Sequence, residues 1–446
     1  MQGCRALAFV SVLLSHAAWA SPQPAWVSYY NGPATHQDHA RRVLAAPSGI
    51  YVGGETYSTT DSFGGVLLRY SPTGTPLWER HFDAGSGFSD ESIADLAPTD
   101  DAGVVATGFA RTSNGAFVFV LRYSAAGDLL WQRLIPVSGV FDIFEIGPRV
   151  RIDPSQRVLV AFTNAGDFAV HCLDSQGNDL WNRRIDPAPG KHDEATSLAV
   201  DELGNSYVTG TKGDGFQGYA TIMLDPDGNT LWTNHENGPI GATLGPSFVA
   251  IGPDGLPVVN GTPETTCGLF QSRTWKVGPD GAALWTTSFP PLPCDTVAPT
   301  ALAVDHDGNI LVFAGSFLSS DPGGFNFCVL KYSPDGTPLW FRTLDGSGST
   351  EIPEAMTVGR DGAVFITGAT NTGGSAYDAI TAAYSPEGSL LWAAGFDHGA
   401  PNERSADIAL TPRGDICVVG SFYTPATNDD IFTLLYRRGP RAAAPR

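Results

Sequence analysis

YSPTGTPLW, from Tyr70 to Trp78, and YSPDGTPLW, from Tyr332 to Trp340, are near copies of one nine-residue phrase in a 446-residue chain. Aligning on the final tryptophan finds the phrase eight times, at Trp26, Trp78, Trp131, Trp181, Trp232, Trp285, Trp340 and Trp392, with gaps of 50 to 55 residues. A glycine stands four residues ahead of seven of them: Gly74, Gly127, Gly177, Gly228, Gly281, Gly336 and Gly388. Further upstream in each unit a short apolar run closes on glycine, as in YVTG (Gly210), FITG (Gly368) and CVVG (Gly420). Phe162 breaks that rule.

Each unit predicts four strands, here lettered A to D, separated by turn residues. In DEATSLAVDELGNSYVTGTKGDGFQGYATIMLDPDGNTLW the strands fall on TSLAV, SYVTG, YATIML and NTLW. The DELGN and DPDGN junctions supply the tight turns, because glycine accepts a positive φ and Asp or Asn caps the turn. Four-stranded units of this length, repeated radially, predict an all-β fold: an eight-bladed β-propeller. The chain opens on a lone D-type strand around Trp26 and closes on a C-type strand, DIFTLLYRR, with no tryptophan strand after it. The first strand is therefore expected to complete the last blade and close the ring without leaving sheet edges. The tryptophans are read as packing anchors between adjacent sheets.

The pattern D-x-A-x-x-[LI]-A-V-D-x-x-G-N-x-Y-V-T-G, followed by D-x-x-G-x-x-L-W, resembles the bacterial exported β-propeller repeat family labelled SBBP. The G-x-x-L-W ending also resembles the tryptophan-docking repeat of quinoprotein alcohol dehydrogenases, which are eight-bladed. The resemblance implies the fold and export and brings no common chemistry with it. The chain lacks the vicinal cysteine pair seen in many quinoprotein alcohol dehydrogenases, and a haem motif.

Bulk composition narrows the function classes. The formal charge is −20, which disfavours nucleic-acid and anionic-membrane partners and favours cations or basic partners. Lys occurs only at 191, 212, 276 and 331, a skew towards Arg that is read as genome composition rather than guanidinium chemistry. Residues 1–20 have the form of a signal peptide, with Arg5 ahead of an apolar run and Ala18-Trp19-Ala20 before the expected cleavage point. The expected organisation is therefore a signal at 1–20, one propeller domain at 21–436 and a loose tail at 437–446. The mature chain is expected to be periplasmic, surface-associated or secreted, monomeric and not inserted in a membrane. Its expected partner is a protein or a glycan.

Strand direction alternates, so A–B and C–D turns share one rim, where they are short and uniform. The B–C and D–A loops share the other rim and vary, and variable loops on a rigid scaffold are where sites are expected. Two features mark that rim. An acidic residue opens the innermost strand in six units, at Asp38, Asp90, Glu145, Asp193, Glu351 and Glu403; Leu244 interrupts the series, and Asp295 lies two positions early. These six are read either as caps on loop N–H groups or as a carboxylate ring at the channel mouth able to hold a divalent cation such as calcium. No other cofactor is expected. His36, His39, His192, His235 and His398 share the rim, as candidate ligand contacts or as solvated loop residues.

Cys267 and Cys294 fall on one rim of one blade, and a disulfide is expected between them. Cys172, Cys328 and Cys417 fall in strands and are expected to be buried thiols. Asp225 and Asp305 open DPDGN and DHDGN, which echo calcium loops but lack the closing Glu, so turn chemistry is expected there. The chain lacks G-x-S-x-G, H-E-x-x-H and a phosphate-cradling glycine loop. A non-enzymatic binding scaffold is therefore the first functional expectation, and a propeller enzyme, either a quinoprotein-like oxidoreductase or a carbohydrate-active hydrolase or lyase, is the second.

Overall fold

The computed structural model describes residues 11–13 and 22–438, apart from 35, 58–62, 85–88, 113–114, 139–146, 214–217, 238–244, 264–269, 290–295, 319–320, 346–349, 374–375, 400–401 and 426. The chain is all-β, with eight sheets set in a ring. Blade 1 is built from Asp38–Ala46, Gly49–Tyr57, Phe63–Tyr70 and Pro76–Phe82, paired in that order. The innermost strands of blades 2 to 8 are Ser89–Pro98, Arg149–Ile152, Glu194–Val200, Phe248–Ile251, Thr296–Val304, Glu351–Val358 and Glu403–Leu410. Each innermost strand contacts its neighbours in the adjacent blades, and that of blade 8 contacts that of blade 1.

Closure follows the expected route. Trp26–Tyr30 pairs antiparallel with the last strand, Trp26 opposite Leu435 and Tyr30 opposite Ile431, and becomes the outer strand of blade 8. Ser11–Leu13 adds a three-residue strand parallel to Thr343–Asp345 at the outer edge of blade 6. At the other end Arg438, within the stretch read as a tail, is held: its N–H donates to Asp415 Oδ1 at 3.0 Å, and its guanidinium sits 5.3 Å from the ring centre of Phe365.

Eight apolar clusters fill the eight interfaces between blades. Between blades 8 and 1, for example, Val43, Val52 and Leu68 meet Val419, Ile431 and Leu435. Between blades 2 and 3, Val105 and Val120 meet Val150, Val160 and Phe162. Alternation along each strand serves both faces at once, since each sheet packs against a neighbour on either side.

In seven of the eight junctions the repeated phrase is a latch from one blade to the next. The Trp181 indole lies against the turn glycine of the following blade, where a Cβ on Gly228 would come 2.6 Å from the ring, and Gly228 has φ +79°. Trp181 Nε1 donates to Pro226 O at 2.9 Å. Trp78, Trp131 and Trp340 donate in the same way to Ala125, Ser175 and Pro386. The tryptophans pack between blades as expected, although at the outer edge most are half-buried, whereas Trp275, outside the repeat, is fully buried. The arginine two residues on completes the latch: Arg80, Arg183 and Arg342 stack near Trp78, Trp181 and Trp340 and donate to the carbonyls of Gly127, Gly228 and Gly388. In these three blades the W-x-R pattern is guanidinium chemistry.

The second repeated glycine has a different cause. In six blades strand A carries a β-bulge, whose inserted residue is Arg41, Ala94, Thr196, Thr300, Glu354 or Ala406. Five of these bulges push a strand A carbonyl against strand B. A Cβ on Gly54, Gly108, Gly210, Gly368 or Gly420 would fall 1.9–2.2 Å from that oxygen. Blade 3 carries Phe162 instead, and there strand A is four residues long with no bulge.

Asp225 and Asp305 serve as turn caps, as expected. Asp225 Oδ1 accepts the N–H groups of Asp227 and Asn229 at 2.9 and 2.7 Å. Asp305 Oδ1 accepts those of Asp307 and Asn309 at 3.0 and 2.8 Å.

Candidate functional site

The bulges position the site. Four of their inserted residues, Arg41, Ala94, Glu354 and Ala406, line a cavity of about 670 Å³ together with His39, Arg42, Arg149, Arg404 and Asp429. The lining comes from the first halves of A strands, the far ends of B strands and the start of a C strand. The cavity therefore opens at the rim of the B–C and D–A loops. It is not eightfold: blades 1, 2, 3, 7 and 8 supply the walls.

Charge is concentrated here. His39 bridges two acids, with Nδ1 3.0 Å from Glu55 Oε1 and Nε2 3.2 Å from Asp429 Oδ2. Burial opposes its charge, but these two hydrogen bonds raise it to about 9, so it is a cation at neutral pH. Arg41 pairs with Glu55 at 2.8 Å. Burial of Glu55 is outweighed by His39 and Arg41, which hold its carboxyl down at about 2. Arg42 lies 3.7 Å from Asp95, which also binds Arg151 at 2.8 Å and accepts the N–H of Val150 at 3.0 Å. Asp407 accepts the N–H of Val43 at 2.9 Å. Asp95 and Asp407 thereby tie blade 2 to blade 3 and blade 8 to blade 1.

Two cations stand apart from this pairing. Arg149 donates to Thr196 O at 3.3 Å, and burial, reinforced by nearby Arg42, pulls its guanidinium down to about 10. Arg404 sits 4.5 Å from the ring centre of Tyr377. Neither makes an ion pair among the described residues. Glu354 faces Arg404, Arg42 and Arg41, yet burial raises its carboxyl to about 7.

The expected site residues fall elsewhere. Asp38, Asp193, Glu351 and Glu403 are buried under the loops they cap, not displayed at the channel mouth. Asp38 accepts from Gly32 N and Thr56, Asp193 from Ala188 N at 3.0 Å and Gly213 N at 2.7 Å, Glu351 from Thr370 at 2.9 Å, and Glu403 from His398 N at 3.1 Å. In blade 2 the buried capping position belongs to Glu91, which accepts from Ala84 N at 3.1 Å, and Asp90 is its half-buried neighbour. Glu145, Leu244 and Asp295 lie outside the described residues, as do Cys267 and Cys294. Among the described residues, the acids that approach within 4.8 Å of one another as a group of three are Asp167, Asp186 and Asp193, so only one of the six belongs to such a group. Cys172, Cys328 and Cys417 are free and buried, as expected.

Of the five rim histidines, His39 is the one that lines the cavity. His36 packs edge-on against Tyr57, His398 packs against Tyr29 and Phe422, and His235 lies 3.4 Å from Lys212 Nζ. The arginines of the site were missed from sequence. Their signal is modest: at the bulge and the place after it the innermost strands vary between small, acidic and basic residues, and Arg41, Arg42 and Arg149 are the basic ones.

A β-propeller repeat, SBBP, matches residues 181–211, the stretch from the outer strand of blade 3 through strand B of blade 4. A search of curated proteins finds no match. Among solved structures, the chain is similar to the quinohemoprotein alcohol dehydrogenase ADHIIG of Pseudomonas putida HK5, at 12% identity over 96% of this chain and 79% of that one, with a TM-score of 0.53. It is also similar to a puromycin hydrolase, at 14% identity over 74% of this chain and 50% of that one, TM-score 0.47. An ulvan lyase of a new polysaccharide lyase family follows at 8% identity, over 76% of this chain and 91% of that one, TM-score 0.49. At these identities the likeness is one of fold.

Proposed function

We propose that this propeller is an exported, non-enzymatic binding scaffold whose ligand enters the channel mouth between blades 7, 8, 1, 2 and 3. The observation that carries this is the cavity itself: about 670 Å³, at the rim with varied loops, and lined by residues that break the repeat. That volume lies within the range of small-molecule sites, and a concave pocket with a few convergent polar groups is the default place for a ligand. Export is supported by the form of residues 1–20 and by the resemblance to an exported repeat family.

The test is a plug. Ala94 and Ala406 are the small inserted residues of the cavity wall. A thermal-shift screen of small metabolites and oligosaccharides is run on the parent chain and on the Ala406→Phe and Ala94→Phe variants. Hits that disappear on plugging support the proposal. Hits that survive in both variants, or no hits in the parent, count against it.

One observation favours the enzymatic alternative. Glu354, raised to about 7 by burial among arginines, is poised for proton transfer near neutral pH. A turnover found in a hydrolase, lyase and oxidoreductase screen, and lost in Glu354→Gln, would replace the scaffold reading with that one.

A further inference from the structure

We propose that the channel-mouth cavity is built for an organic anion, with Arg149 and Arg404 as its two points of attachment through carboxylate or phosphate-type oxygens. This rests on the reading of the cavity as the ligand site. Five cationic side chains line it, His39, Arg41, Arg42, Arg149 and Arg404, against two carboxyl groups, Glu354 and Asp429. The protein itself answers three of the five: Glu55 and Asp429 hold His39, Glu55 holds Arg41, and Asp95 lies beside Arg42.

Arg149 and Arg404 make no close ion pair among the described residues; Asp95 and Asp407 act on Arg149 only from a distance, and Asp95 is already shared with Arg42 and Arg151. The two arginines reach the same space from blades 3 and 8, three steps apart round the ring, so one ligand can meet both. A buried guanidinium without a directly paired counter-ion is unfavourable, and a bound oxyanion offsets that penalty with paired, charge-assisted hydrogen bonds. Glu354 is the one lining acid close enough to compete for Arg404, and its burial keeps it substantially protonated at neutral pH, which leaves Arg404 to a ligand. The chain-wide charge of −20 therefore does not describe the channel mouth.

The experiment titrates the full chain with succinate, glucuronate and inorganic phosphate by calorimetry, with sodium chloride at matched ionic strength as the blank. Saturable binding of at least one probe above the blank is expected. In Arg404→Gln and in Arg149→Gln it should weaken by roughly tenfold or more, the usual effect of losing one charge-assisted contact. Arg149→Lys, which keeps the charge if the Gln variant misfolds, should recover part of the affinity. Preference for the carboxylates or for phosphate identifies which oxyanion the site suits. No binding above the blank by any probe, or binding that both Gln variants retain in full, overturns the inference. Neutral hits in the plug screen, lost on plugging, would overturn it as well while leaving the cavity as the binding site.

Discussion

Replacing Gly228 by alanine tests the latch that joins one blade to the next. The new Cβ would stand 2.6 Å from Cδ2 of Trp181 and 2.8 Å from its Cε3, so the indole must move. Moving it breaks the 2.9 Å bond to Pro226 O and disturbs Arg183, whose Nε donates to Gly228 O at 2.6 Å while its guanidinium lies 5.6 Å from the indole centre. Holding alanine at φ +79° costs about 1–2 kcal/mol. The lost hydrogen bond adds about 1 kcal/mol, and displacing a half-buried indole and its cation contact adds about 1–2 more. The expected loss is thus about 3–5 kcal/mol, comparable to the roughly 3 kcal/mol expected for Trp181→Ala at the lower end of large aromatic deletions. The decisive measurement is a double-mutant cycle by urea denaturation followed by circular dichroism. Once Trp181 is alanine there is no ring to displace, and Gly228→Ala should then cost only its backbone strain. The coupling should be about 2–3 kcal/mol. Additivity to within about 0.5 kcal/mol would show that the glycine is needed for its turn alone and that the docking argument is wrong.

Other outcomes follow from the same geometry. Gly210→Ala should destabilise more than Gly228→Ala, because its Cβ would fall 1.9 Å from the Glu194 carbonyl, which is backbone and has less freedom to retreat than an indole; an equal or smaller loss on denaturation would contradict this. Asp193→Asn should lower the melting temperature equally in calcium and in EDTA, since Asp193 caps Ala188 N and Gly213 N; a loss confined to calcium buffer would instead assign a cation there. Glu354 is raised from 4.5 to about 7 by burial, so the fold favours its protonated form. That contribution is complete below pH 4.5 and disappears as the pH climbs through 7. Glu354→Gln should match the parent near pH 4.5 and exceed it above pH 7 by up to about 3 kcal/mol, and equal stability at pH 8 would refute the burial argument. Burial pushes the Cys172 thiol to about 12 and raises those of Cys328 and Cys417, so all three should resist thiol reagents in the native state. After unfolding without reductant they should be the thiols that react, with Cys267 and Cys294 recovered as a linked peptide by mass mapping, and two free thiols at those positions would refute the bridge.

Much of the architecture was legible because each repeated residue answers a steric demand that recurs in blade after blade. A turn glycine under an indole leaves its mark at seven positions and a strand glycine under a bulged carbonyl at five. The partner in the latch was harder to see. Trp181 docks on Pro226 and Gly228, one full repeat downstream, and a unit read by itself shows the indole and its own turn but not the turn it covers. The bulge also hides register. Asp90 aligns with the other acids by position in the text, yet Glu91 is the residue that caps, because the strand is counted from the bulge between Ile93 and Asp95.

Repetition and function pull in opposite directions here, and that explains why the candidate site was the least legible part. The acidic series was visible because it recurs, and it recurs because each blade needs the same loop capped. A ligand in a channel meets each blade once, so its contacts belong to positions where the units disagree. The inserted bulge residue is such a position: its backbone is set by the fold, but its side chain is not, and it reads Arg41, Ala94, Thr196, Thr300, Glu354 and Ala406 round the ring. Small residues there leave space, and Arg41 and Glu354 bring charge into it. Blade 3 lacks the bulge and reaches the same cavity with Arg149 from the start of its shortened strand. The scaffold thus offers a variable side chain at the cavity wall in blades 1, 2, 7 and 8, whereas in blade 4 the same position, Thr196, is buried and bonds Ser247 of blade 5.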